Sequence, residues 1–477
     1  MMCDNFIINI CRDNKEIFIN NSYAGNEEKW CENYLELYGC NDYYAERDAF
    51  CIYLGEVYSF GERISSPKEY FDYFLTYGLD GFRMLSGNYI AILGYKKKVY
   101  CVSGKTACPS LYYYYDERGR QFVISTELKL FPKKYKQAIE FEKIYNISYK
   151  SRNVTNIKNV YRVVPGTYVT VDFEGRTFEE VEYYSPLRSI DIISKEEAVT
   201  EIRKCMDEYF NTIQDMEMSC LVSGGLDSSI IAMLSQKKCK KTELFCLGTE
   251  LVNEFEPAQC LADSLGLNLE KYVVQNNDFV SYFAKTIELV EHSHSTFIEY
   301  LVPIVMAHEK LQNKTKNLIS GYGSDILFAG FANETMTLAD ISKLVHSEYL
   351  TTNWSNETSQ NIGMAYGINV FYPYFYDRLI DTSFRICPEL KYHNNIEKYI
   401  LRYAYHDDLL DDIVWRKKVG VHQGTGLENF MTKLLNGTSN IAVRKKKDLY
   451  AYRIFNELII NEKKITEINM KGILHEI

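Results

Sequence analysis

Hydrophobic and polar positions follow two different patterns along the chain, one in each half. From Phe6 to about Val181, short runs of β-branched and aromatic residues are separated by turn residues, a pattern typical of strands. These runs predict strands at residues 6–10, 16–19, 49–53, 88–93, 99–103, 111–115 and 121–125. A helical pattern at residues 67–77 interrupts them. We therefore expect an α+β sandwich of antiparallel sheet in this half.

The second half begins after a break in periodicity between residues 185 and 195. Ser194 is followed three residues later by Glu197, the spacing of a capping box, so we expect a helix to start behind Ser194. Accordingly, we predict two domains, at residues 1–185 and 194–477.

Beyond Ser194, predicted strands alternate with predicted helices. The strands lie at residues 217–222, 243–247, 269–274 and 317–320, and the helices at 226–234, 257–265, 282–291 and 299–311. This alternation predicts an α/β domain with a parallel sheet and right-handed crossovers, whose ligands bind beyond the carboxyl ends of the strands. Beyond Thr335 the pattern is mostly helical.

Composition and charge indicate which kinds of molecule the chain is expected to bind. The 477 residues carry 54 Lys and Arg against 64 Asp and Glu, a net charge of −10. This acidic balance argues against nonspecific binding to nucleic acid or to an anionic membrane and favours a small-molecule partner. Thirteen cysteines, an odd number with no Cys-x-x-Cys pair, fit reduced thiols in a cytosolic protein. Without a signal-peptide pattern or a membrane-length apolar run, we expect a cytoplasmic protein, and a homodimer is compatible with the sequence.

Residues 223–229, Ser-Gly-Gly-Leu-Asp-Ser-Ser, stand where a predicted strand turns into a predicted helix. Glycines let the backbone approach phosphate oxygens, amides and hydroxyls at a helix start donate to them, and an Asp can hold the accompanying Mg²⁺. No Lys follows the glycines, which excludes the Gly-x-x-x-x-Gly-Lys-Ser/Thr loop. The alternative is a Ser-rich turn between strand and helix, in which the glycines only allow the backbone conformation and bind no phosphate. The loop resembles that of the ATP pyrophosphatase superfamily, whose members cleave ATP to AMP and pyrophosphate.

A second cluster, residues 321–326, reads Gly-Tyr-Gly-Ser-Asp-Ile and places Asp325 at another strand end. Two aspartates from different strand ends are the minimum needed to grip a Mg²⁺-pyrophosphate, because the metal neutralises charge on the leaving group. We therefore pair Asp227 with Asp325 as candidate metal ligands. Taken alone, the second cluster also fits a Gly-rich turn with a helix-capping Asp.

Together these motifs resemble the asparagine synthetase family over nearly the whole chain. That family joins an N-terminal-nucleophile glutaminase domain, an αββα sandwich, to a synthetase domain with Ser-Gly-Gly-x-Asp-Ser-Ser and a later Gly-Glu-Gly-Ser-Asp. Here Tyr322 stands at the Glu position, which is similar to the β-lactam synthetase branch, including carbapenam synthetase. Residues 253–255 (Asn-Glu-Phe), 298–301 (Ile-Glu-Tyr-Leu) and 418–426 (Lys-Val-Gly-Val-His-Gln-Gly-Thr-Gly) look like that branch as well.

The resemblance implies a set of site residues. A Tyr and a Glu form a catalytic dyad in that branch, which implies Tyr322 with Glu357, and Lys418 matches its catalytic lysine. Tyr300 and Glu348 are implied in the substrate pocket, where an acid would suit a cationic substrate side chain. The implied ATP and pyrophosphate contacts are Val222, Ser223, Gly225, Asp227, Ser228, Gly248, Gly321 and Lys398, and Asp227 and Asp325 would hold Mg²⁺. Taken singly, these positions also fit a core tyrosine, a helix-cap neighbour or solvated lysines.

The N-terminal half departs from an active glutaminase of this family. Such an enzyme needs a cysteine with a free α-amine, whereas Cys3 becomes terminal only if translation starts at Met2 and that residue is removed. Residues 54–56, Leu-Gly-Glu, stand where the family has Asn-Gly-Glu, and residues 65–69, Ser-Ser-Pro-Lys-Glu, replace a Gly-Asp-Cys/Gly-Glu segment. We therefore expect an inactive domain and a nucleophilic nitrogen that belongs to the substrate, which favours ring closure over amidation.

The resemblance thus implies an ATP- and Mg²⁺-dependent ligase that adenylates a carboxylate and closes a β-lactam on an N-carboxyalkyl or β-amino acid substrate. The alternatives are an asparagine synthetase-like amidotransferase, a lasso-type peptide macrocyclase and an inactive nucleotide-binding scaffold. His292 and His294 are expected to be solvated loop residues rather than metal ligands. The run at residues 444–447, Arg-Lys-Lys-Lys, is expected to be a solvated helix face.

Overall fold

The computed structural model of the chain describes residues 6–11, 25–30, 33–38, 42–106, 109–115, 121–146, 153–186, 189–250, 252–274, 279–352, 360–417, 424, 430–435 and 441–477. Four predictions lie outside these residues: the strand at 16–19, the Cys3 nucleophile, and the site residues Glu357 and Lys418.

Two six-stranded antiparallel sheets make up most of the N-terminal half. The first has the order Val160–Arg162, Tyr112–Tyr115, Gln121–Ser125, Ile7–Cys11, Asn33–Tyr38 and Gly25–Trp30. The second has the order Thr177–Glu182, Thr167–Asp172, Lys98–Ser103, Tyr89–Tyr95, Ala49–Gly55 and Tyr44–Glu46. A small third sheet joins Glu62–Arg63, Tyr58–Ser59 and Leu85–Ser86.

The two large sheets pack face to face through alternate side chains of their strands. Ile8 of the first sheet and Ile52 of the second lie in one buried cluster. Because successive side chains point to opposite faces of a strand, Ile7 falls on the outer face, where it packs with Phe283 and Val302 from the C-terminal half. The helix Pro67–Tyr77 covers the outer face of the second sheet. The first sheet is therefore covered by helices of the other half of the chain.

A five-stranded parallel sheet forms the centre of the C-terminal half, as the alternation of elements predicts. Its order is Leu269–Val273, Lys241–Gly248, Glu217–Leu221, Asn317–Ile319 and Asn369–Phe371. The predicted strands at 217–222, 243–247, 269–274 and 317–320 are confirmed. The prediction of a mostly helical chain beyond Thr335 is confirmed for the described residues. The strand Asn369–Phe371 was not predicted, because three residues are too short a run to show a period.

The helices of the chain have the following bounds. They are Pro67–Tyr77, Phe141–Asn146, Lys195–Thr212, Leu226–Lys238, Phe255–Leu265, Phe279–Val290, Ser295–Leu311, Ser324–Leu327, Leu338–Thr351, Gln360–Tyr366, Asp377–Arg385, Pro388–Lys391, Tyr399–Tyr405, Asp411–Val414, Phe430–Leu434, Ile441–Phe455 and Met470–His475. Short 3₁₀ turns lie at Leu79–Met84, Leu128–Leu130, Lys133–Tyr135, Pro373–Phe375 and Ile465–Glu467, a π turn at Asn456–Ile460, and a two-stranded hairpin at Tyr392–His393 and Ile396–Glu397.

The helix start predicted behind Ser194 is confirmed, since the Ser194 side chain accepts from the Glu197 amide at 3.1 Å. The division of the chain into domains near that point stays a prediction. Within the part that the structure describes, no helix is both long and apolar enough to cross a membrane.

Buried acids lie where the two halves of the chain meet. Glu291 accepts from the amides of Leu128 and Lys129 at 2.6 and 2.7 Å, and burial together with nearby Glu127 raises its pKa to about 7. At a second place Asp377 lies 3.3 Å from Lys105 Nζ. Burial raises the pKa of Asp377 to about 6, although Lys105 acts in the opposite direction.

Candidate active site

Two loops at the carboxyl ends of neighbouring strands form the candidate site. From the central strand Glu217–Leu221 the chain runs first to one side of the sheet and later returns to the other side at Asn317–Ile319. The loops after these two strands therefore diverge and leave a crevice, the usual ligand position in such a sheet. The loops touch: a Cβ at Gly321 would lie 3.0 Å from the Ser228 amide nitrogen. Only glycine fits this approach without displacing the backbone.

The first loop turns sharply before the helix Leu226–Lys238. Gly224 has φ +66°, and a Cβ there would lie 2.5 Å from the carbonyl carbon of Pro257. Ser228 Oγ accepts from the Ser223 amide at 3.4 Å and donates to the Gly225 carbonyl at 3.3 Å. The helix N-cap is Gly225, which has no side chain to satisfy the first amides. Amides at such a helix start are suited to an anion such as phosphate.

A buried lysine joins the two loops. Lys398 Nζ lies 2.5 Å from Asp227 Oδ2 and 2.7 Å from Asp325 Oδ1, and its side chain is only 2% exposed. Burial would lower the pKa of Lys398, but the two carboxylates outweigh it and hold the pKa well above its usual value. Lys398 is therefore a fixed cation, and it brings the two predicted metal ligands to one point.

The two aspartates fit a hard divalent cation. Asp227 Oδ1 is buried without a hydrogen-bond partner among the described residues, and carboxylate oxygens are the ligands Mg²⁺ prefers. Mg²⁺ commonly takes one or two protein carboxylates and completes its shell with waters and substrate phosphates. A cluster of three or more His, Cys, Asp or Glu side chains placed to hold a metal ion is absent from the described ranges.

The second loop carries Tyr322 beside two other aromatic rings. Gly323 has φ +109°, and a Cβ there would lie 2.3 Å from the Phe375 ring. This close approach sets the Tyr322 ring 5.6 Å from that of Phe375, edge to face. The centre of the Tyr300 ring lies 6.4 Å from the centre of the Tyr322 ring. Two residues predicted from separate motifs, Tyr300 and Tyr322, are thus brought together at this strand end.

Sequence reasoning missed several residues around the two loops. The buried Tyr374 donates its hydroxyl to the Asp227 carbonyl at 3.4 Å, and burial raises the pKa of Tyr374 well above its usual value. Arg416 donates to the Ser223 carbonyl at 3.1 Å and forms an ion pair with Glu254. Arg416 stands two residues before the predicted Lys418, a position from which it could have been suspected. No comparable sequence signal marks Tyr374.

The structure also describes the predicted site residues Val222, Gly248 and Glu348. Val222 donates its amide to the Phe245 carbonyl at 2.8 Å, and Gly248 ends the next strand, so both lie at the same sheet edge. Glu348 is half-buried in the helix Leu338–Thr351, and its carbonyl accepts from the amide of Thr352 at 2.9 Å. A role for Glu348 in the substrate pocket stays a prediction, as do the roles of Glu357 and Lys418.

Two expectations about polar residues are wrong. His292 and His294 are not solvated: both are partly buried, His292 Nδ1 accepts from the His294 amide at 3.0 Å, and burial lowers both pKa values. Lys447 is 12% exposed and pairs with Glu299 at 2.8 Å, so the run at 444–447 is not wholly a solvated face. Both errors arise because packing between helices distant in sequence buries these side chains.

Comparisons with known proteins identify relatives of this chain. A carboxyethyl-arginine beta-lactam-synthase of Streptomyces clavuligerus is 24% identical over 332 residues, covering 69% of this chain and 64% of the relative. An asparagine synthetase (glutamine-hydrolyzing) 1 of Lotus japonicus is 28% identical over 241 residues, covering 44% of this chain and 40% of the relative. The chain therefore spans less than two thirds of the length of either relative.

Among solved structures, an NMN synthetase from Francisella tularensis is 12% identical, covers 58% of this chain and 97% of its own, and has a TM-score of 0.27. That score is too low to establish a shared fold. The asparagine synthase family model matches residues 210–344 and 337–471, which include both loops and Lys398. Since this match takes in more than half of the sequence, the chain belongs to the asparagine synthase family.

Proposed function

We propose that the chain catalyses ATP- and Mg²⁺-dependent amide formation within one substrate molecule. In this proposal it closes a β-lactam ring on an N-carboxyalkyl or β-amino acid and releases AMP and pyrophosphate. The observation that carries the proposal is Lys398 held between Asp227 and Asp325 beneath the Ser-Gly-Gly loop. This arrangement offers cationic and metal-binding groups at the place where a triphosphate would lie.

The first step is adenylation of the substrate. A carboxylate oxygen attacks the α-phosphorus of ATP, and the bond to the bridging oxygen breaks so that pyrophosphate leaves. Ser223, Gly225 and Ser228 would bind the phosphates through loop amides and hydroxyls, while Lys398 offsets their charge. Asp227 and Asp325 would hold Mg²⁺, which when bound neutralises charge on the pyrophosphate.

The second step is ring closure. The substrate amine attacks the acyl carbonyl carbon, the bond to the AMP oxygen breaks, and the amine proton passes to a base. Tyr322 with Glu357 would serve as that base, because a carboxylate network can tune a phenol for proton transfer. Lys418 would stabilise the tetrahedral oxyanion as a fixed cation in a closed site. The aromatic cluster of Tyr322, Tyr300 and Phe375 supplies the apolar wall such a site needs.

The N-terminal half supports a substrate nitrogen rather than ammonia from glutamine. The segment at residues 65–69 starts a helix: Ser66 Oγ accepts from the Glu69 amide at 3.2 Å, and Glu69 accepts from the Ser65 amide at 2.7 Å. Leu54, at the position of the family's Asn, packs against the core between the sheets. These structural contacts support the proposal that the domain is a degenerate glutaminase.

The two relatives described above differ in the reaction for which they are named. One is named for carboxyethyl-arginine β-lactam formation and another for glutamine-hydrolysing asparagine synthesis. Tyr322 replaces the Glu of the asparagine synthetase motif, which supports the first.

The test is pyrophosphate release with Mg-ATP and a panel of N-carboxyalkyl amino acids, with product masses read in parallel. We expect release coupled to loss of one water from a single panel member. Pyrophosphate release only with aspartate plus ammonia or glutamine would show that the chain catalyses amidation and not ring closure. Release only with a peptide would indicate a macrocyclase, and silence with every substrate would contradict a catalytic role.

A further inference from the structure

We propose that Arg416 is a positioning residue for the phosphate loop and that it masks the charge of Glu254. The inference rests on the proposed use of ATP and adds a residue pair to that site. Arg416 Nη1 donates to the Ser223 carbonyl at 3.1 Å, and its Nη2 forms an ion pair with Glu254 Oε2. One guanidinium thus contacts both the loop and an acid beside it.

The contact with Ser223 fixes the direction of the following amide. The Ser223 carbonyl and the Gly224 N–H belong to one planar trans peptide and point in opposite directions. Gly224 is already confined by its φ of +66° and by its approach to Pro257. With Arg416 holding the carbonyl, rotation of the peptide plane is restrained, so the loop amide is oriented before a phosphate arrives. Such preorganisation increases the affinity for phosphate because the loop loses less conformational freedom on binding.

Arg416 is itself held in place by a second arginine. Arg402, whose side chain is 3% exposed, donates to the backbone carbonyl of Arg416 at 3.1 Å and to that of Val414. The same guanidinium donates to the Glu397 carbonyl at 2.8 Å and to its carboxylate at 2.5 Å. Glu397 directly precedes Lys398. The position of Arg416 is thus coupled to that of the cation between the two aspartates.

The pairing with Glu254 has an electrostatic consequence. Glu254 is 14% exposed and stands at the N-cap position of the helix Phe255–Leu265, whose Pro257 packs against Gly224. An unpaired carboxylate so close to the loop would repel a triphosphate, and partial burial weakens screening by water. A Cβ at Gly424 would lie 2.7 Å from Glu254 Cγ, so this acid has little room to turn away. Arg416 neutralises this charge.

The experiment measures the Kd of Mg-ATP and of AMP by calorimetry for the full chain and four variants: Arg416→Ala, Arg416→Lys, Glu254→Gln and the double variant Arg416→Ala with Glu254→Gln. We expect Arg416→Ala to raise the Kd of Mg-ATP at least tenfold and that of AMP less than twofold, because the loop holds the β- and γ-phosphates. Arg416→Lys should fall between wild type and Ala. The double variant should bind Mg-ATP at least threefold more tightly than Arg416→Ala alone. Arg378→Ala, which breaks an Arg–Glu pair outside the site with Glu208, is the matched control and should change neither Kd.

Each contrary outcome has a distinct meaning. Equal weakening of ATP and AMP would make Arg416 a stabilising residue only and would overturn the inference. ATP affinity within twofold of wild type for both Arg416 variants would overturn it as well. If the double variant binds Mg-ATP no more tightly than Arg416→Ala does, the claim that Arg416 masks the charge of Glu254 is wrong. Failure of the wild-type chain to bind Mg-ATP would instead contradict the proposed function itself.

Discussion

The ammonium of Lys398 lies 2.5 Å from Asp227 Oδ2, although 171 residues of sequence separate the two. The same nitrogen lies 2.7 Å from Asp325, which lies in the short helix Ser324–Leu327 after a different strand. A buried cation shared by two carboxylates ties both strand ends together, and it keeps their oxygens directed at one point. Several measurable consequences arise from this contact and from the residues around it.

Replacing Lys398 by Met should destabilise the chain, because it leaves two partly buried carboxylates facing each other. Breaking a buried ion pair from one side typically lowers the free energy of unfolding by about 3 kcal/mol. Urea unfolding measures this change. The control is Lys237→Met, which removes an exposed lysine paired with Asp408 and should lower it by less than about 1 kcal/mol. Equal losses for the two variants would show that the Lys398 cluster adds no more stability than a surface pair.

Replacing Gly224 by Ala should weaken ATP binding as well as stability. The two glycines Gly224 and Gly266 have the same φ of +66°, but only at Gly224 would the new Cβ collide, at 2.5 Å from Pro257. Gly266→Ala therefore measures the left-handed backbone strain alone, on the order of 1 kcal/mol of unfolding free energy. Gly224→Ala should lose more unfolding free energy than Gly266→Ala does. It should also raise the Kd of Mg-ATP at least tenfold. If both variants lose the same stability and bind ATP normally, the close packing of the loop has no role in binding.

Replacing Asp377 by Asn should change how stability depends on pH. Burial raises the pKa of Asp377 from 3.8 to about 6, so the folded chain binds this proton more tightly than the unfolded chain does. The contribution of Asp377 to the free energy of unfolding is therefore fully present below pH 3.8 and is lost as the pH rises through 6. At about 1.4 kcal/mol per pKa unit, the loss is on the order of 3 kcal/mol.

Urea unfolding of wild type and Asp377→Asn at several pH values between 4 and 7 tests this. The difference between the two should shift in favour of the Asn variant as the pH rises. Asp407→Asn, at a side chain that is 83% exposed, is the control and should show no such trend. A pH-independent difference for Asp377→Asn would contradict the raised pKa.

Replacing Tyr322 by Phe should separate the two proposed chemical steps. Phe keeps the ring contacts with Tyr300 and Phe375 but lacks the hydroxyl needed for proton transfer. Because general base catalysis contributes roughly 10²–10⁴-fold, ring closure should slow by that factor while adenylation continues. Single-turnover assays that follow pyrophosphate and cyclic product separately measure this. Tyr376→Phe, whose hydroxyl lies near Glu208, should leave both rates unchanged. An equal loss in both steps would contradict a role confined to the second.

Replacing Glu348 by Gln tests the predicted preference for a cationic substrate. Loss of the carboxylate should lower kcat/KM for a substrate with a guanidine side chain about tenfold, as expected for loss of one charged contact worth about 1.4 kcal/mol. A neutral substrate of similar size should be affected little. Glu389→Gln, at an exposed residue of the same half, is the control. An unchanged ratio between cationic and neutral substrates would exclude Glu348 from the pocket.

The sequence by itself determined the local structure and the local chemistry. Strands ending at Leu221 and Ile319 show as short apolar runs before Gly-rich turns, because backbone geometry and period leave a mark within a few residues. The same signals predicted Asp227 and Asp325 as candidate ligands and placed them at the carboxyl ends of strands. Motif order also indicated the family, which the family match confirms.

Only the tertiary structure decided which distant groups meet. Strand order is set by packing of helices on both sides of the sheet, and it brings the loops after Leu221 and Ile319 together across almost a hundred residues of intervening chain. No local pattern predicts that Arg416 reaches the Ser223 carbonyl, or that Lys447 is partly buried beside Glu299. Such contacts depend on the shape of the assembled chain, because burial and charge pairing are properties of the folded surroundings rather than of the residue.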